Sequence, residues 1–358
     1  MQLETLLFPL VLAFITTTIL THVLLPFIKK LGLVDDPKLH KHPGVIHTKI
    51  IPRGGGIPIF LGIFLTSLFF IPLNKVTIAI FFASFLSLVV GLIDDKFNAK
   101  SKDVSPYLRF LVNILCAIIV VGSGVTIPFI THPLGGILDF TTIAIPFLSI
   151  TIGDIIAVIW IVWVMNMLNW SKGVDGQMPG IVAISALIIG ILSLRFPFMD
   201  STNLIDANLS FIISGAALGF LVFNFYPAKI FPGYGATSMY LLLAVVSILS
   251  STKLATAILV MGVPIIDALF TILRRILSGR SPFWHDNLHL HHLLLRLGYT
   301  HRQIALFYWS ISAIVGTIAL TLQSKSKPFA LLMLGVIVTG ALLFLHFIVR
   351  YSYEKDDS

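Results

Sequence analysis

The sequence predicts an all-α, polytopic membrane bundle of about eleven transmembrane helices, ten at the fewest, and three observations carry that expectation. The first is composition. Of 358 residues, 57% are hydrophobic and only 11% are charged, where soluble domains average about 25% charged. A chain this poor in charge cannot cover its own surface in water, and a mean hydropathy of +0.98 agrees. The second is a recurrence of apolar runs near the length a spanning helix needs, about 20 residues. The third is a lopsided placement of Lys and Arg between those runs.

The runs fall at 5–27, 55–73, 76–93, 107–128, 151–170, 178–195, 209–227, 236–250, 254–273, 303–322 and 329–350. The opening segment, MQLET, lacks a basic n-region, and its apolar run is too long for a cleaved signal. It reads as a retained span. With the N-terminus outside, 19 of the 24 Lys and Arg fall in inside loops. Only Lys75, Arg195, Lys253, Lys325 and Lys327 stay outside. Basic residues concentrate on the cytoplasmic side, so this split sets the orientation and makes the C-terminus cytoplasmic. The connection 129–150 holds no Lys or Arg, as an outside loop should.

One transmembrane domain is therefore expected over 1–350. Its cytoplasmic loops are 28–54, 94–106, 171–177, 228–235 and 274–302, and a short irregular tail covers 351–358. The formal charge of +8 reports loops facing anionic lipid and phosphate, with no nucleic acid partner implied. The lone Cys116 lies inside an apolar run and reads as a core residue. A single cysteine closes no intramolecular disulfide.

Ionisable groups at membrane depth are costly and by default mark function. Five clusters fall at the cytoplasmic ends of helices. Asp94 and Asp95 close the third run in GLIDDKFN. Adjacent carboxylates suit a divalent cation or a cationic neighbour, and magnesium is often held by one or two carboxylates with substrate phosphate. Asn166 and Asn169 share a helix face and lead into Lys172-Gly173-Val174-Asp175-Gly176, whose glycines bare backbone amides to a phosphate or sugar. The third cluster, 223–238, pairs Asn224 with Lys229 and a Pro/Gly-rich turn. Asp267 precedes Arg274 and Arg275 by about two turns, and Arg is well matched to pyrophosphate oxygens. The last cluster is His285, Asp286, His289, His291 and His292. No cysteine or further histidine group completes a zinc site, so phosphate contact or acid–base work by imidazole is favoured. PRGGG, 52–56, adds bare amides beside Arg53. Carboxylates, arginines, histidines and amides gathered at one membrane face describe the handling of a nucleotide or pyrophosphate beside lipid.

In order along the chain, LGLVDDP, HTKIIPRGGG, GLIDD, NxxN…DG, NFYPAKIF, PIID…RR and DNLHLHH resemble the motifs of the polyprenyl-phosphate N-acetylhexosamine-1-phosphate transferases, the MraY/WecA-like family. The resemblance covers nearly the whole chain, and the DNLHLHH motif is closer to the WecA branch. It implies transfer of a sugar 1-phosphate from a UDP-N-acetylhexosamine, such as UDP-GlcNAc, to undecaprenyl or another polyprenyl phosphate. UMP would be released and a lipid-linked glycan of the cell envelope begun. It implies magnesium, with manganese as the alternative ion, and Asp94, Asp95 and Asp175 as metal-binding and catalytic residues. Asn166, Asn169, Lys172, Asn224, Arg274, Arg275, His289, His291 and His292 are the residues it implies for the nucleotide and diphosphate. The partners are the polyprenyl phosphate, the UDP-sugar and the cytoplasmic membrane, with the active side cytoplasmic; a homodimer stays open.

Two positions depart from the family pattern. Lys172 stands where NxxNxxDGxDG has its first aspartate, and Tyr234 stands where GDxGS has its aspartate. The local charge moves three units toward positive, which disfavours a divalent cation. Three readings follow: a transferase with a rearranged site, a relative that binds lipid phosphate or nucleotide sugar without turnover, and a transporter. The polar groups gather at one face rather than at the midplane, which argues against the transporter.

Overall fold

A computed structural model of the chain describes residues 3–36, 50–100, 102, 104–132, 136–142, 144–145, 150–195, 201–249, 254–284 and 286–356. Lys253 and His285, named above, lie outside the described residues. Thirteen helices are described: α1 (Leu3–Lys30), α2 (Gly56–Phe70), α3 (Lys75–Asn98), α4 (Pro106–Val121), α5 (Ile152–Trp170), α6 (Gln177–Ser193), α7 (Ser201–Asn224), α8 (Thr237–Val246), α9 (Leu254–Val260), α10 (Gly262–Leu277), α11 (Leu290–Arg296), α12 (His301–Thr321) and α13 (Lys327–Asp356). Every expected apolar run holds helix. Six helices, α1, α3, α5, α7, α12 and α13, are long and apolar enough to cross a membrane. The bent α9–α10 pair is a seventh if it forms one broken span, and α2, α4, α6 and α8 are shorter apolar helices.

Helix starts follow local chemistry. Capping boxes open α3 (Asn74 with Thr77), α5 (Thr151 with Asp154) and α12 (Thr300 with Gln303), each satisfying amides that the first turn leaves orphaned. Pro106 opens α4, where its missing N–H costs nothing. The run 254–273 is expected as one helix, but α9 and α10 meet at 77°. Pro264 has no N–H for the Val260 carbonyl, and its ring crowds that carbonyl, so the helix breaks there. α13 continues through Asp356, beyond the apolar run and into the tail expected to be irregular. The sequence reading also held no strands. Two-residue β1 (Val34–Asp35) and β2 (Ile51–Pro52) pair antiparallel beside the end of α1. In the connection before α5, β3 (Phe129–Thr131) pairs with β4 (Ile137–Asp139), and β5 (Ala144–Ile145) with β6 (Ile150–Thr151).

α8 is the pillar of the bundle. All ten of its residues are buried, packed by α3 and α5 and also by α2, α6 and α7. The outer shell is the reverse. α13 turns Phe329, Leu332, Met333, Val336, Phe344 and Phe347 outward, and so large an apolar face is stable only against lipid or another apolar surface. α10 divides its faces: Asp267, Thr271 and Arg275 are buried, while Leu269, Leu273, Ile276 and Leu277 are exposed. The C-terminal ends of α1, α3, α5, α7 and α10 and the N-terminal ends of α4, α8 and α12 come together. All the polar clusters are therefore at one end of the bundle.

Candidate active site

The base of the site is built on Asp95, in the last turns of α3. Its carboxylate is completely buried. Oδ1 accepts from the Tyr234 amide (2.8 Å) and Oδ2 from the Gly235 amide (3.1 Å). Arg53 Nε donates to Oδ1 at 3.1 Å. Arg53 also reaches Asp35 Oδ2 at 3.0 Å and the Asn98 side-chain oxygen, so it ties β1, β2 and α3 together. Gly91, one turn before Asp95, lets the 234–235 segment lie directly on α3. A Cβ there would stand 2.6 Å from both Cα and N of Gly235.

Tyr234 seals this carboxylate layer. Its ring is buried, with Lys172 Nζ 5.4 Å from the ring centroid and the Arg109 guanidinium 5.3 Å from it. Arg109 pairs with the buried Asp94 at 3.5 Å. Lys172 Nζ donates to the Gly233 carbonyl at 3.0 Å. Burial, and after it the nearby Arg53, pull the Lys172 ammonium down to about 7 against the support of Asp95 and Asp94. Burial pushes the Tyr234 phenol up to about 12.

The 171–176 turn and the 225–232 segment are laced to each other. Asn224 accepts from the Gly176 amide (3.1 Å) and donates to the Ile230 carbonyl (2.8 Å). Asp175 Oδ2 accepts from the Ala228 amide (3.0 Å), and its Oδ1 lies 3.8 Å from His301 Nδ1. Asn166 Nδ2 donates back to the Val162 carbonyl (2.7 Å). The side-chain oxygen of Asn169 is buried without a hydrogen-bond partner.

The opposite wall comes from α10, the 281–289 segment and α11. Asp286 Oδ2 accepts from Arg274 Nη2 (3.0 Å) and Arg275 Nε (2.8 Å). Burial alone would raise the Asp286 carboxyl, but Arg275 and then Arg274 hold it below the usual carboxylate range. His289 Nδ1 donates to Asp267 Oδ2 (2.9 Å), and Asp267 Oδ1 accepts the Leu290 amide (2.9 Å). His291 is buried with both ring nitrogens unpartnered, and His292 Nδ1 is likewise unpartnered. Buried polar atoms left unsatisfied in a native fold ask for a ligand or water. Burial, then neighbouring histidines, pull His291 well below its ordinary value and His292 to about 4. Both rings are neutral at pH 7. Gly173 permits this packing, since a Cβ there would stand 2.3 Å from His291 Nε2.

These walls enclose a cavity of about 920 Å³. Asn166, Asn169, Lys172, Asp175, Arg275, His289, His291 and His292 line it as the sequence predicts. Asp94, Asp95, Asn224 and Arg274 do not. The two aspartates are expected at the open helix end, but Tyr234, Arg53 and Arg109 cover them. Asn224 and Arg274 act behind the wall, on Gly176 and Asp286. Arg53, Arg109, Lys29, Trp170, Tyr226 and His301 also line the cavity without having been singled out as ligand contacts. Arg109 in the first turn of an apolar run, and His301 directly after a capping Thr300, were the signals available. Among the described residues, six cations (Lys29, Arg53, Arg109, Lys172, Lys229, Arg275) and three carboxylates (Asp35, Asp175, Asp286) face the space.

The implied magnesium site does not fit these residues. Both oxygens of Asp95 are taken by an arginine and two amides, Asp94 lies behind Arg109, and Asp175 bonds the Ala228 amide. Lys172 Nζ stands 5.4 Å from the Tyr234 ring centroid, which puts a positive charge beside the aspartates. Among the described residues no group of three or more His, Cys, Asp or Glu is arranged to hold a metal.

Residues 77–251 match the model of glycosyl transferase family 4. Over 344 residues the chain is 30% identical to a probable undecaprenyl-phosphate N-acetylglucosaminyl 1-phosphate transferase of Bacillus subtilis, covering 92% of this chain and 89% of that protein. It is 29% identical to a decaprenyl-phosphate N-acetylglucosaminephosphotransferase of Mycobacterium leprae, over 82% of this chain and 79% of the relative. It is 30% identical to an undecaprenyl-phosphate alpha-N-acetylglucosaminyl 1-phosphate transferase of Haemophilus influenzae, over 83% and 81% respectively. Full-length similarity to such relatives, joined to the match over α3 to α8 and the loop-built cavity, places the chain in glycosyl transferase family 4, among the polyprenyl-phosphate N-acetylhexosamine-1-phosphate transferases.

Proposed function

We propose that this protein transfers N-acetylglucosamine 1-phosphate from UDP-N-acetylglucosamine to a polyprenyl phosphate. The observation that carries the reading is a cation-rich cavity of about 920 Å³ at the end of an apolar bundle, in a chain whose relatives bear the names of such transferases. An oxygen of the lipid phosphate attacks the sugar-bearing phosphorus of the donor. The bond from that phosphorus to the bridging oxygen breaks, and UMP leaves with the electron pair. The product is a lipid-linked sugar pyrophosphate. A phosphate monoester is largely dianionic at pH 7, its second pKa being about 6, so the nucleophile needs no protein base. What remains is positioning and charge neutralisation. Lys172, Arg53, Arg109 and Arg275 supply positive charge along the diphosphate. Neutral His291 and His292, with Asn169, offer hydrogen bonds to sugar and phosphate oxygens. Asp175 and Asn224 hold the turn that presents Lys172 and Gly173.

In this reading the eleven apolar runs sit in the cytoplasmic membrane with the cavity at the cytoplasmic face, the N-terminus outside and the C-terminus inside. The excess of Lys and Arg in the cavity-end loops supports that orientation. The test is UMP release by the purified chain given polyprenyl phosphate and UDP-N-acetylglucosamine. Release that requires the lipid and is lost in His291→Ala supports transfer. Donor binding without release, for this and other UDP-sugars, would instead support a relative that binds without turnover. The sealing of Asp94 and Asp95 beneath Tyr234 is the observation that favours that second reading.

A further inference from the structure

The geometry points to a diphosphate site whose counter-charge comes from the chain's own cations, centred on Lys172, in place of a divalent metal ion. The inference rests on the transferase reading and deepens it by naming how the donor is held. The carboxylates near the base of the cavity are already neutralised from within. Arg53 and two amides take Asp95, and Arg109 takes Asp94. Lys172 differs. Among the described residues its one hydrogen bond goes to a neutral carbonyl, that of Gly233 at 3.0 Å, and no carboxylate pairs with it. An ammonium has three donors, and this one keeps two on a cavity wall.

Position adds to this. The Tyr234 ring lies against Lys172 on one approach and Arg109 on another. Both cations line the cavity wall, Arg109 already paired with Asp94 and Lys172 with no carboxylate in hydrogen-bond reach. A dication placed there would meet the Lys172 ammonium, which no carboxylate pairs, while the nearest carboxylates, Asp94, Asp95 and Asp35, are already held by Arg109 and Arg53. A diphosphate placed there meets the Lys172 ammonium first, with the Arg109 and Arg53 guanidinium groups on the same wall. Charge-assisted hydrogen bonds to phosphate oxygens are the strong class, and guanidinium and ammonium groups provide them without a metal.

The test uses the full chain in nanodiscs, with inorganic diphosphate and UDP-N-acetylglucosamine as probes, titrated calorimetrically with EDTA present. The expected result is saturable diphosphate binding in chelator. In Lys172→Met it weakens by about tenfold or more, the worth of a lost charge-assisted bond, and Lys172→Arg restores most of it. Diphosphate binding that vanishes in EDTA and returns only with magnesium would overturn the inference. So would a folded Lys172→Met variant that binds as the wild type does. The wild-type titration decides by itself should the Met variant fail to fold. UMP release is measured separately. Metal-free diphosphate binding without release would defeat the transferase reading alone, whereas magnesium-dependent release without metal-free binding would defeat the inference alone.

Discussion

Gly91→Ala tests whether the base of the site is held in the way described. A Cβ at position 91 would stand 2.6 Å from Cα and N of Gly235 and 2.7 Å from the Tyr234 carbonyl carbon. Carbon contacts are comfortable at about 3.5–4.0 Å, so the segment must retreat by about 1 Å. These are backbone atoms at the head of the buried α8, and no flexible side chain is available to move instead. A retreat of that size stretches the amide bonds to Asp95, now 2.8 and 3.1 Å, past the range of a hydrogen bond. Two charge-assisted bonds at about 1.5–3 kcal/mol each give an expected loss of about 3–6 kcal/mol. Thermal unfolding in nanodiscs, with diphosphate titration on the same sample, reads both stability and site. Gly335→Ala on α13 is the control, because a Cβ there meets nothing within 4 Å. If Gly91→Ala melts with that control and binds diphosphate as the wild type does, the proposed clamp of the 234–235 segment on Asp95 is wrong.

Four further outcomes are expected. Lys172→Asp combined with Tyr234→Asp restores two carboxylates and should tighten magnesium or manganese binding, read by manganese paramagnetic resonance; unchanged affinity would remove both positions from any metal shell. Diphosphate affinity should fall as pH rises through about 7, because the attracting form of Lys172 is the ammonium and its group is pulled down to about 7. The groups facing it are Arg53, Arg109, Asp94, Asp95 and Tyr234, and a slope that persists in Lys172→Met would assign the titration to one of them. Asp267→Asn should weaken donor binding by about tenfold by freeing His289, and adding His289→Ala should cost little more, since the two share one interaction. Asp95→Asn should lower the unfolding midpoint as well as binding, whereas a carboxylate acting only on substrate would leave stability intact.

Much of this architecture is legible in sequence because lipid imposes a simple rule on length and polarity. Apolar runs had to become helices, and the placement of Lys and Arg foretold the end at which the polar clusters meet. Residues local to a motif, such as His291, His292, Asn169 and Lys172, reach the cavity as their spacing suggests. What sequence hides is which charge neutralises which. Arg53 meets Asp95 across 42 positions and Arg109 meets Asp94 through a different helix; neither pairing has a periodic signature. For that reason Asp94 and Asp95 read as open ligands, whereas the fold buries both and pairs them with Arg109 and Arg53. Asn224 similarly reads as a ligand contact, yet it spends its amide on Gly176 and Ile230. The break between α9 and α10 was written in Pro264, but hydropathy averages across it.

The burial of α8 also bears on how different molecules are told apart. Tyr234 leads directly into a helix with no exposed residue, so the bottom of the cavity shares the stiffness of the bundle interior. A ligand pressing on it would have to strain the core. Adjustment is left to the rim, where Trp284 is 51% exposed and Tyr226 41%. A compound shaped to the bottom of the cavity therefore meets a rigid mould, while bulk added toward those two aromatic rings is tolerated. Selectivity in inhibitor chemistry should follow the same gradient, sharp at the Tyr234 end and permissive at the mouth.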